Sequence, residues 1–141
     1  MNLKEIGDFT LEATKWVGIY GVGYFATLFA CQFSMTTTFQ KKIESKKELE
    51  EKVKERAKKI GVDSSKIDVI YPSDSTYVTQ DKDGRFKMNF WEEGIFNTIG
   101  GIDHGLTHIK KDRKDVSWNF FRYWFLEEPR ATLYGTFGIK L

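Results

Sequence analysis

The stretch "GGIDHGLTHIKKD", residues 100–112, holds both histidines of the chain, His104 and His108. A spacing of four residues brings two side chains onto one face of a helix, about one turn apart. Apolar residues recur at helical spacing here, which predicts a helix from about residue 95 to residue 111. The two histidines fall almost opposite this apolar stripe, so we expect the stripe in the core and both imidazoles pointing together away from it. The stripe consists of Ile95, Ile99, Ile102, Leu106 and Ile109.

The paired histidines suggest a metal site. Two imidazole nitrogens one turn apart can both reach one ion at about 2.0–2.1 Å, the usual bond length to zinc. A tetrahedral zinc site needs a third protein ligand and keeps one position for water. Cys31 is the only cysteine, which excludes thiolate zinc sites and an intrachain disulfide. Glu127 or Glu128, on the following helix, could supply the third ligand. The alternative is that both histidines are ordinary surface or packing groups.

A capped helix and a strand are predicted before the histidines. Ser45 and Glu48 have the spacing of a capping box, which begins a helix, and Gly61 is placed to end it. The run "KIDVIY" (66–71) is typical of a strand, which Pro72 would end. A helix followed by a strand begins an α+β pattern.

A hairpin and a C-terminal helix complete the predicted α+β fold. The stretch 76–90 predicts a hairpin that turns at Asp83-Gly84. The segment from about residue 117 to the C-terminus predicts one kinked helix or two helices, with the break at Pro129. The hairpin's second strand places three apolar side chains on one face: Phe86, Met88 and Phe90.

The N-terminal part predicts a membrane anchor. Residues 16–40 carry no charge, and the dense part, 16–35, has about the 20 residues needed to cross a bilayer core. Four lysines follow the segment, so the bias of positive charge predicts a single pass with the C-terminal domain in the cytoplasm. The expected division is therefore an anchor segment at 1–43 and a domain at 44–141. The alternative is a buried helix of a soluble domain. The four lysines are Lys41, Lys42, Lys46 and Lys47.

The charge balance argues against nucleic-acid binding. The net charge is +2, and the one lysine-rich run, from Lys41 to Lys59, is interleaved with glutamates. Such a run is typical of a solvated helix face rather than of a concentrated basic surface. We therefore expect no nucleic-acid partner.

The order of these elements and two short motifs resemble the gluzincin metallopeptidases. "DHGLTHIKKD" is similar to that family's "HELxHIxxxD", and "EEPRAT" is similar to its downstream Glu-x-x-Ala. The resemblance covers roughly residues 44–137 and is nearest to the minimal archaeal forms, the minigluzincins, and to the membrane-bound heat-shock and prenyl-protein endopeptidases of the same group. It implies a small zincin-like domain with one zinc ion per chain.

The resemblance also implies residue roles. His104 and His108 match the two zinc-binding histidines, and Glu128 matches the glutamate ligand because Ala131 follows it by three residues. Glu127 is the fallback if Pro129 sets the helix differently. The strand that holds Phe86, Met88 and Phe90 corresponds to the family's edge strand, along which an extended peptide or a protein partner would lie by backbone pairing.

The sequence departs from the family pattern at Gly105, where the family has the glutamate that takes a proton from zinc-bound water. A positioned general base contributes roughly 10²–10⁴ in rate, so the chain is expected to be inactive or very weak as a peptidase. A side chain added at position 105 is expected to lie away from the centre of the apolar stripe.

Three hypotheses follow. The favoured one is a membrane-anchored zinc-binding domain that is catalytically silent. The second is a zinc endopeptidase, either working with another base or inactivated by loss of its natural glutamate. The third is a metal-free membrane subunit that keeps the fold for packing alone. Zinc content and hydrolysis of an unstructured substrate separate the three.

Overall fold

Four α-helices and one three-stranded sheet form the part of the chain that the computed structural model describes, residues 3–110 and 123–139. The architecture is mixed α+β, as the sequence predicts. The helices are α1 (Leu3–Ser34), α2 (Lys46–Ile60), α3 (Ile99–Lys110) and α4 (Glu128–Phe137). The strands are β1 (Ile67–Ser73), β2 (Tyr77–Gln80) and β3 (Phe86–Trp91). A 3₁₀ turn (Ser64–Lys66) precedes β1, and a π-helical turn (Tyr123–Glu127) precedes α4.

The chain divides into two compact units after Ala30, not after residue 43 as expected. The reason is that residues 31–43 are bonded into the C-terminal unit. The backbone N–H of Thr37 donates to the Ile95 carbonyl at 2.7 Å, and that of Ile43 donates to the Asn97 carbonyl at 2.8 Å. Met35 is almost fully buried. The last turn of α1 therefore belongs to the C-terminal unit.

The N-terminal unit consists of most of α1, which is longer than the expected helix at 16–35. The span from Thr10 to Ser34 is long and apolar enough to cross a membrane, and within it an 18-residue window has a mean hydropathy of 1.2 and is 6 % buried. Many of its large apolar side chains are exposed, including Val17, Tyr20 and Val22. Helices of this length and composition also occur as signal sequences and as core helices, although a core helix is mostly buried.

Helix α2 has the predicted caps. The Ser45 hydroxyl accepts a hydrogen bond from the Glu48 backbone N–H at 3.2 Å, which satisfies one of the free donors of the first turn. Gly61 ends the helix with φ of 81°, a left-handed conformation that glycine adopts without a steric penalty. The buried face of α2 covers the sheet and α3 with Leu49, Val53, Ala57 and Ile60.

The sheet has the order β1-β3-β2, with β1 parallel and β2 antiparallel to β3. The predicted hairpin is therefore present, and Gly84 takes a positive φ in its turn. The expectation that 86–90 forms an edge strand is wrong, because β3 is bonded to a strand on each side. A strand paired on both sides has no free backbone groups with which to bind a peptide. Phe86, Met88 and Phe90 are buried in the core.

Helix α3 starts at Ile99, later than the apolar stripe predicts. The Thr98 hydroxyl accepts a hydrogen bond from the Gly101 backbone N–H at 3.1 Å, which caps the helix at this position. Ile95 lies outside the helix and is half exposed. Ile99 packs against the core partly buried, and three residues of the stripe lie in the core, as predicted: Ile102, Leu106 and Ile109.

Helix α4 begins beside the proline that the sequence marks as a break. Pro129 lies in its first turn, where a missing backbone N–H costs no helical hydrogen bond. Gly138 ends the helix with φ of 68°. Part of the predicted C-terminal helix, residues 117–122, lies outside the described residues.

Candidate metal centre

Helices α3 and α4 bring together the three predicted ligands, His104, His108 and Glu128. The two Nε2 atoms lie 3.1 Å apart. Glu128 Oε1 lies 3.5 Å from His104 Nε2, and Glu128 Oε2 lies 3.3 Å from His108 Nε2. All the ligand atoms of this group lie within 4.8 Å of one another, so the group could hold a metal ion.

The three groups are poorly accessible to water. Glu128 and His108 are buried, and the His104 side chain is 21 % exposed. Burying a carboxylate is costly unless it is paired or bound to a metal. Glu127 is also buried, but the carboxylate that converges with the imidazoles belongs to Glu128. The fallback assignment of Glu127 is therefore not needed.

A contact between glycines sets the separation of the two ligand-bearing helices. A methyl group at Gly100 would lie 2.9 Å from the Gly135 carbonyl oxygen, and one at Gly135 would lie 2.7 Å from the Gly100 carbonyl oxygen. Neither position can hold a larger residue without moving a helix, so α3 and α4 approach through their backbones. Gly100 is one of the glycines that the sequence marks as unusual in a helix, whereas Gly135 carries no comparable signal.

Gln32 is a site residue that sequence reasoning misses. Its side-chain amide donates a hydrogen bond to Glu128 Oε1, and it lies in the last turn of α1, 96 positions before its partner. The one available signal is a polar amide within the apolar run "LFACQF" (28–33). Nothing in the local sequence indicates that this amide meets a carboxylate of α4.

A cavity of about 300 Å³ adjoins the three ligands. Its wall is formed by Gln32 and the ligands on one side and by β2, β3 and the chain before α3 on the other. The apolar part of the lining comes from Met35, Val78, Met88, Phe90 and Phe96. The site therefore combines convergent polar groups with an apolar surface, which is typical of a small ligand-binding cavity.

Gly105 faces this cavity, and the space beside it is occupied. A methyl group at position 105 would lie 2.9 Å from Met88 Cε and 3.2 Å from Val78 Cγ2. The expectation that a side chain at 105 would avoid the core is therefore wrong. The helical wheel places position 105 correctly relative to the apolar stripe, but it does not show that β3 packs against this side of α3.

The acidic residue of α3, Asp103, points away from the two histidines. Asp103 is buried and accepts two hydrogen bonds from Arg56 of α2, one of them from Nε at 2.7 Å. The Asp103 carboxylate raises the pKa of Arg56. The pKa of Tyr134 is also raised, first by burial and then by the charge of Asp103. Asp103 thus fixes α3 against α2 and does not join the metal ligands.

Comparison with protein-family models, with curated proteins and with solved structures finds no match to this chain. The functional interpretation therefore rests on the geometry of this site and on the motifs in the sequence.

Proposed function

We propose that this protein is a membrane-anchored, zinc-binding relative of the gluzincin metallopeptidases in which peptide hydrolysis is lost or very weak. The observation that carries the proposal is the convergence of two imidazoles and one carboxylate at the junction of α3 and α4. Each of the three components of the proposal, the metal, the missing base and the membrane anchor, has its own support.

Zinc is the metal that suits this donor set. Two ligand atoms bound to a tetrahedral zinc ion at 2.0–2.1 Å are about 3.3–3.4 Å apart. The two Nε2 atoms are 3.1 Å apart, and each lies 3.3–3.5 Å from a different oxygen of Glu128, so each pair of side chains has a separation near that value. Two histidines with one glutamate also constitute the ligand set of several catalytic zinc sites, in which the fourth position holds water.

Loss of catalysis is supported by Gly105. Gly105, which matches the family's base in sequence, carries no carboxylate, and Met88 Cε lies 2.9 Å from where a β-carbon at this position would be. Zinc can still lower the pKa of a bound water molecule, but proton transfer then lacks a positioned acceptor. A binding role is therefore favoured over hydrolysis.

A membrane location is supported by α1. The apolar part of the helix within the N-terminal unit, from Thr10 to Ala30, spans about 30 Å at 1.5 Å per residue, which matches the hydrocarbon core of a bilayer. Lysines are concentrated after the helix, and this bias favours a single pass with the C-terminal unit in the cytoplasm.

An extended peptide is the partner that the sheet suits best. The sheet's antiparallel edge strand is β2, and two of its residues, Tyr77 and Val78, line the cavity beside the ligands. A peptide that adds to the outer edge of β2 would pass the metal, so β2 would take the role that the family resemblance implies for residues 86–90.

Metal analysis of the purified full chain in detergent tests the proposal. We expect about one zinc ion per chain, loss of zinc in His104→Ala and in His108→Ala, and weaker binding in Glu128→Gln. Glu127→Gln is the matched control, because it removes the neighbouring buried carboxylate without removing a ligand, and it should keep its zinc. Wild-type zinc content in a variant without both histidines would refute the metal site.

Hydrolysis separates the silent domain from an active peptidase. The full chain loaded with zinc is incubated with casein, with and without a chelator. We expect no cleavage above that of the His104→Ala variant. Chelator-sensitive cleavage that disappears in His104→Ala would instead establish the active endopeptidase.

A further inference from the structure

We infer that Gln32 is a positioning residue for the metal centre, so that the last turn of the apolar helix α1 is part of the site. The inference rests on the proposed zinc binding and deepens it. It assigns to Gln32 the task of orienting Glu128 so that one carboxylate faces both imidazoles.

The contacts at Glu128 carry the inference. The Gln32 amide donates its hydrogen bond to Oε1, the oxygen that lies 3.5 Å from His104. The other oxygen, Oε2, lies 3.3 Å from His108. A glutamate side chain has several rotatable bonds, so a hydrogen bond to one oxygen selects an orientation among many. Groups that hold ligands in this way are part of the machinery of most metal sites.

The turn that bears Gln32 is itself held in place. The Thr136 hydroxyl of α4 donates a hydrogen bond to the Cys31 carbonyl at 3.0 Å. The Thr98 hydroxyl, at the start of α3, donates to the Met35 carbonyl. The two ligand-bearing helices therefore each bind the chain next to Gln32, so the amide meets Glu128 from a fixed direction.

The chemistry of an amide suits this position. Glutamine donates a hydrogen bond without carrying charge, so it orients the carboxylate and leaves its negative charge available to an ion. A lysine or arginine would neutralise Glu128 and compete with the metal, whereas a second carboxylate would repel it. A neutral donor is thus the type of side chain that a ligand-orienting role requires.

The test compares zinc affinity in the full chain, purified in detergent, by competition with a chelating indicator. Gln32→Leu removes the donor at similar volume, and Gln32→Met does so with a flexible side chain, in case the branched residue does not fit. We expect either variant to bind zinc roughly 10- to 100-fold more weakly, the usual effect of losing such a partner. The visible spectrum of the cobalt-substituted variants should also change, because the carboxylate reorients.

Ser34→Ala is the matched control. It removes a hydrogen bond within the same turn, from the Ser34 hydroxyl to the Cys31 carbonyl at 2.6 Å, but leaves in place both the donor to Glu128 and the bonds that hold the turn. Its zinc affinity and cobalt spectrum should therefore stay close to those of the wild type. A general loss of packing would weaken zinc binding in this variant too, and the thermal unfolding of the metal-free chains reports such a loss separately.

The outcomes distinguish this inference from the proposed function. A wild-type chain that binds zinc, together with Gln32→Leu and Gln32→Met variants that bind it equally with an unchanged cobalt spectrum, overturns the positioning role and leaves the zinc site standing. A Ser34→Ala variant as weak as the Gln32 variants also overturns it. A wild-type chain that binds no zinc overturns the proposed function, and the inference with it.

Discussion

In the proposed zinc site, Gly105 is the residue that decides whether water could be activated. Its missing side chain is also a packing feature, because Met88 Cε lies where a β-carbon would need space. Restoring a glutamate at this position therefore requires a change in β3 as well as in α3. Met88 ends in a flexible thioether, which can move at a modest cost.

We predict that Gly105→Glu alone loses roughly 1–3 kcal/mol in the free energy of unfolding, because the added atoms overfill a packed site. Combined with Met88→Val, which removes the obstructing atoms, the glutamate should face the metal. The double variant should then gain roughly 10²-fold in chelator-sensitive cleavage of casein over Met88→Val alone.

The matched control for this experiment is Gly105→Gln with Met88→Val, which has the same size and no carboxylate. If the glutamate variant is folded, loaded with zinc and no faster than the glutamine variant, then the missing base is not what limits hydrolysis.

Arg56 provides a second test at the residue scale. It donates two hydrogen bonds to Asp103 in a setting where the two side chains are 15 % and 4 % exposed. Removing one partner of such a pair leaves a buried charge without compensation, which typically costs about 3–5 kcal/mol. We expect Arg56→Ala to lower the free energy of unfolding by about that amount, measured by denaturant titration of the full chain in detergent.

The surface pair Arg85–Asp68 is the control, since it joins the same residue types with both side chains exposed to solvent. Arg85→Ala should change stability little at neutral pH. The hydrogen bond from Arg85 holds the pKa of Asp68 below its ordinary value. Its contribution is therefore present above the unfolded-state pKa and lost as the pH falls through the folded-state pKa, so variant and wild type should converge in acid. A large neutral-pH effect of Arg85→Ala would contradict this assignment.

The sequence predicts which side chains converge at the candidate metal centre better than it predicts what surrounds them. His104 and His108 share a helix, so their spacing alone brings them together, and Glu128 follows from the Glu-x-x-Ala resemblance. Gln32 and Met88 reach the site only through tertiary packing. No local pattern connects the end of α1 or the middle of β3 to residues of α3 and α4.

At the scale of secondary-structure elements, two glycines of α3, Gly101 and Gly105, allow the chain before the helix and strand β3 to pack closely against it. A methyl group at Gly101 would overlap the carbonyl oxygen of Phe96, a backbone atom. At Gly105 the nearest atom is the end of a flexible side chain. The two positions lie one turn apart on the same helix, so they form a matched pair.

We predict that Gly101→Ala lowers the free energy of unfolding by at least about 2 kcal/mol, because the backbone near Phe96 must move. Gly105→Ala should change it by less than about 1 kcal/mol, since alanine's better helix propensity offsets the displacement of Met88. Thermal unfolding of the two variants side by side measures the difference. Equal stabilities would show that the chain before α3 is free to shift.

Helix and strand boundaries are predicted correctly where neighbouring residues alone determine them. The caps of α2 and the turn at Gly84 are set by neighbouring residues, and both predictions are confirmed. The predicted start of α3 is wrong by four residues, because the Thr98 hydroxyl caps the helix inside the apolar stripe. The predicted place of β3 at the edge of the sheet is wrong, because strand order depends on contacts between distant segments, which periodicity does not report.

At the scale of the whole molecule, the division after Ala30 predicts which shortened chains fold. A chain that begins at residue 42 lacks Met35 and the carbonyl that the Thr98 hydroxyl binds. We expect that chain to lose its cooperative unfolding transition, whereas a chain that begins at Cys31 should keep it, as measured by circular dichroism on heating. Cooperative unfolding of the chain from residue 42 would mean that residues 31–41 are dispensable.

The membrane proposal makes a separate prediction for the full chain. We expect it to partition into the detergent-rich phase, because the exposed apolar side chains of α1 need a nonaqueous environment. The chain from Cys31 should partition into the aqueous phase more strongly than the full chain. A full chain that is monomeric in buffer without detergent would exclude the anchor.

The contact between Gly100 and Gly135 also decides whether the Glu128 carboxylate can reach an ion held by the two imidazoles. With both histidines on α3 and the glutamate on α4, the proposed site offers two nitrogens and one carboxylate, whereas Ca²⁺ binds roughly six to eight oxygen atoms at about 2.3–2.6 Å. Magnesium likewise prefers water and carboxylate to imidazole. Discrimination against these two abundant cellular cations would then depend on the nitrogen donors. A bulkier residue at either glycine would push α4 away and leave a site of two nitrogens without the carboxylate.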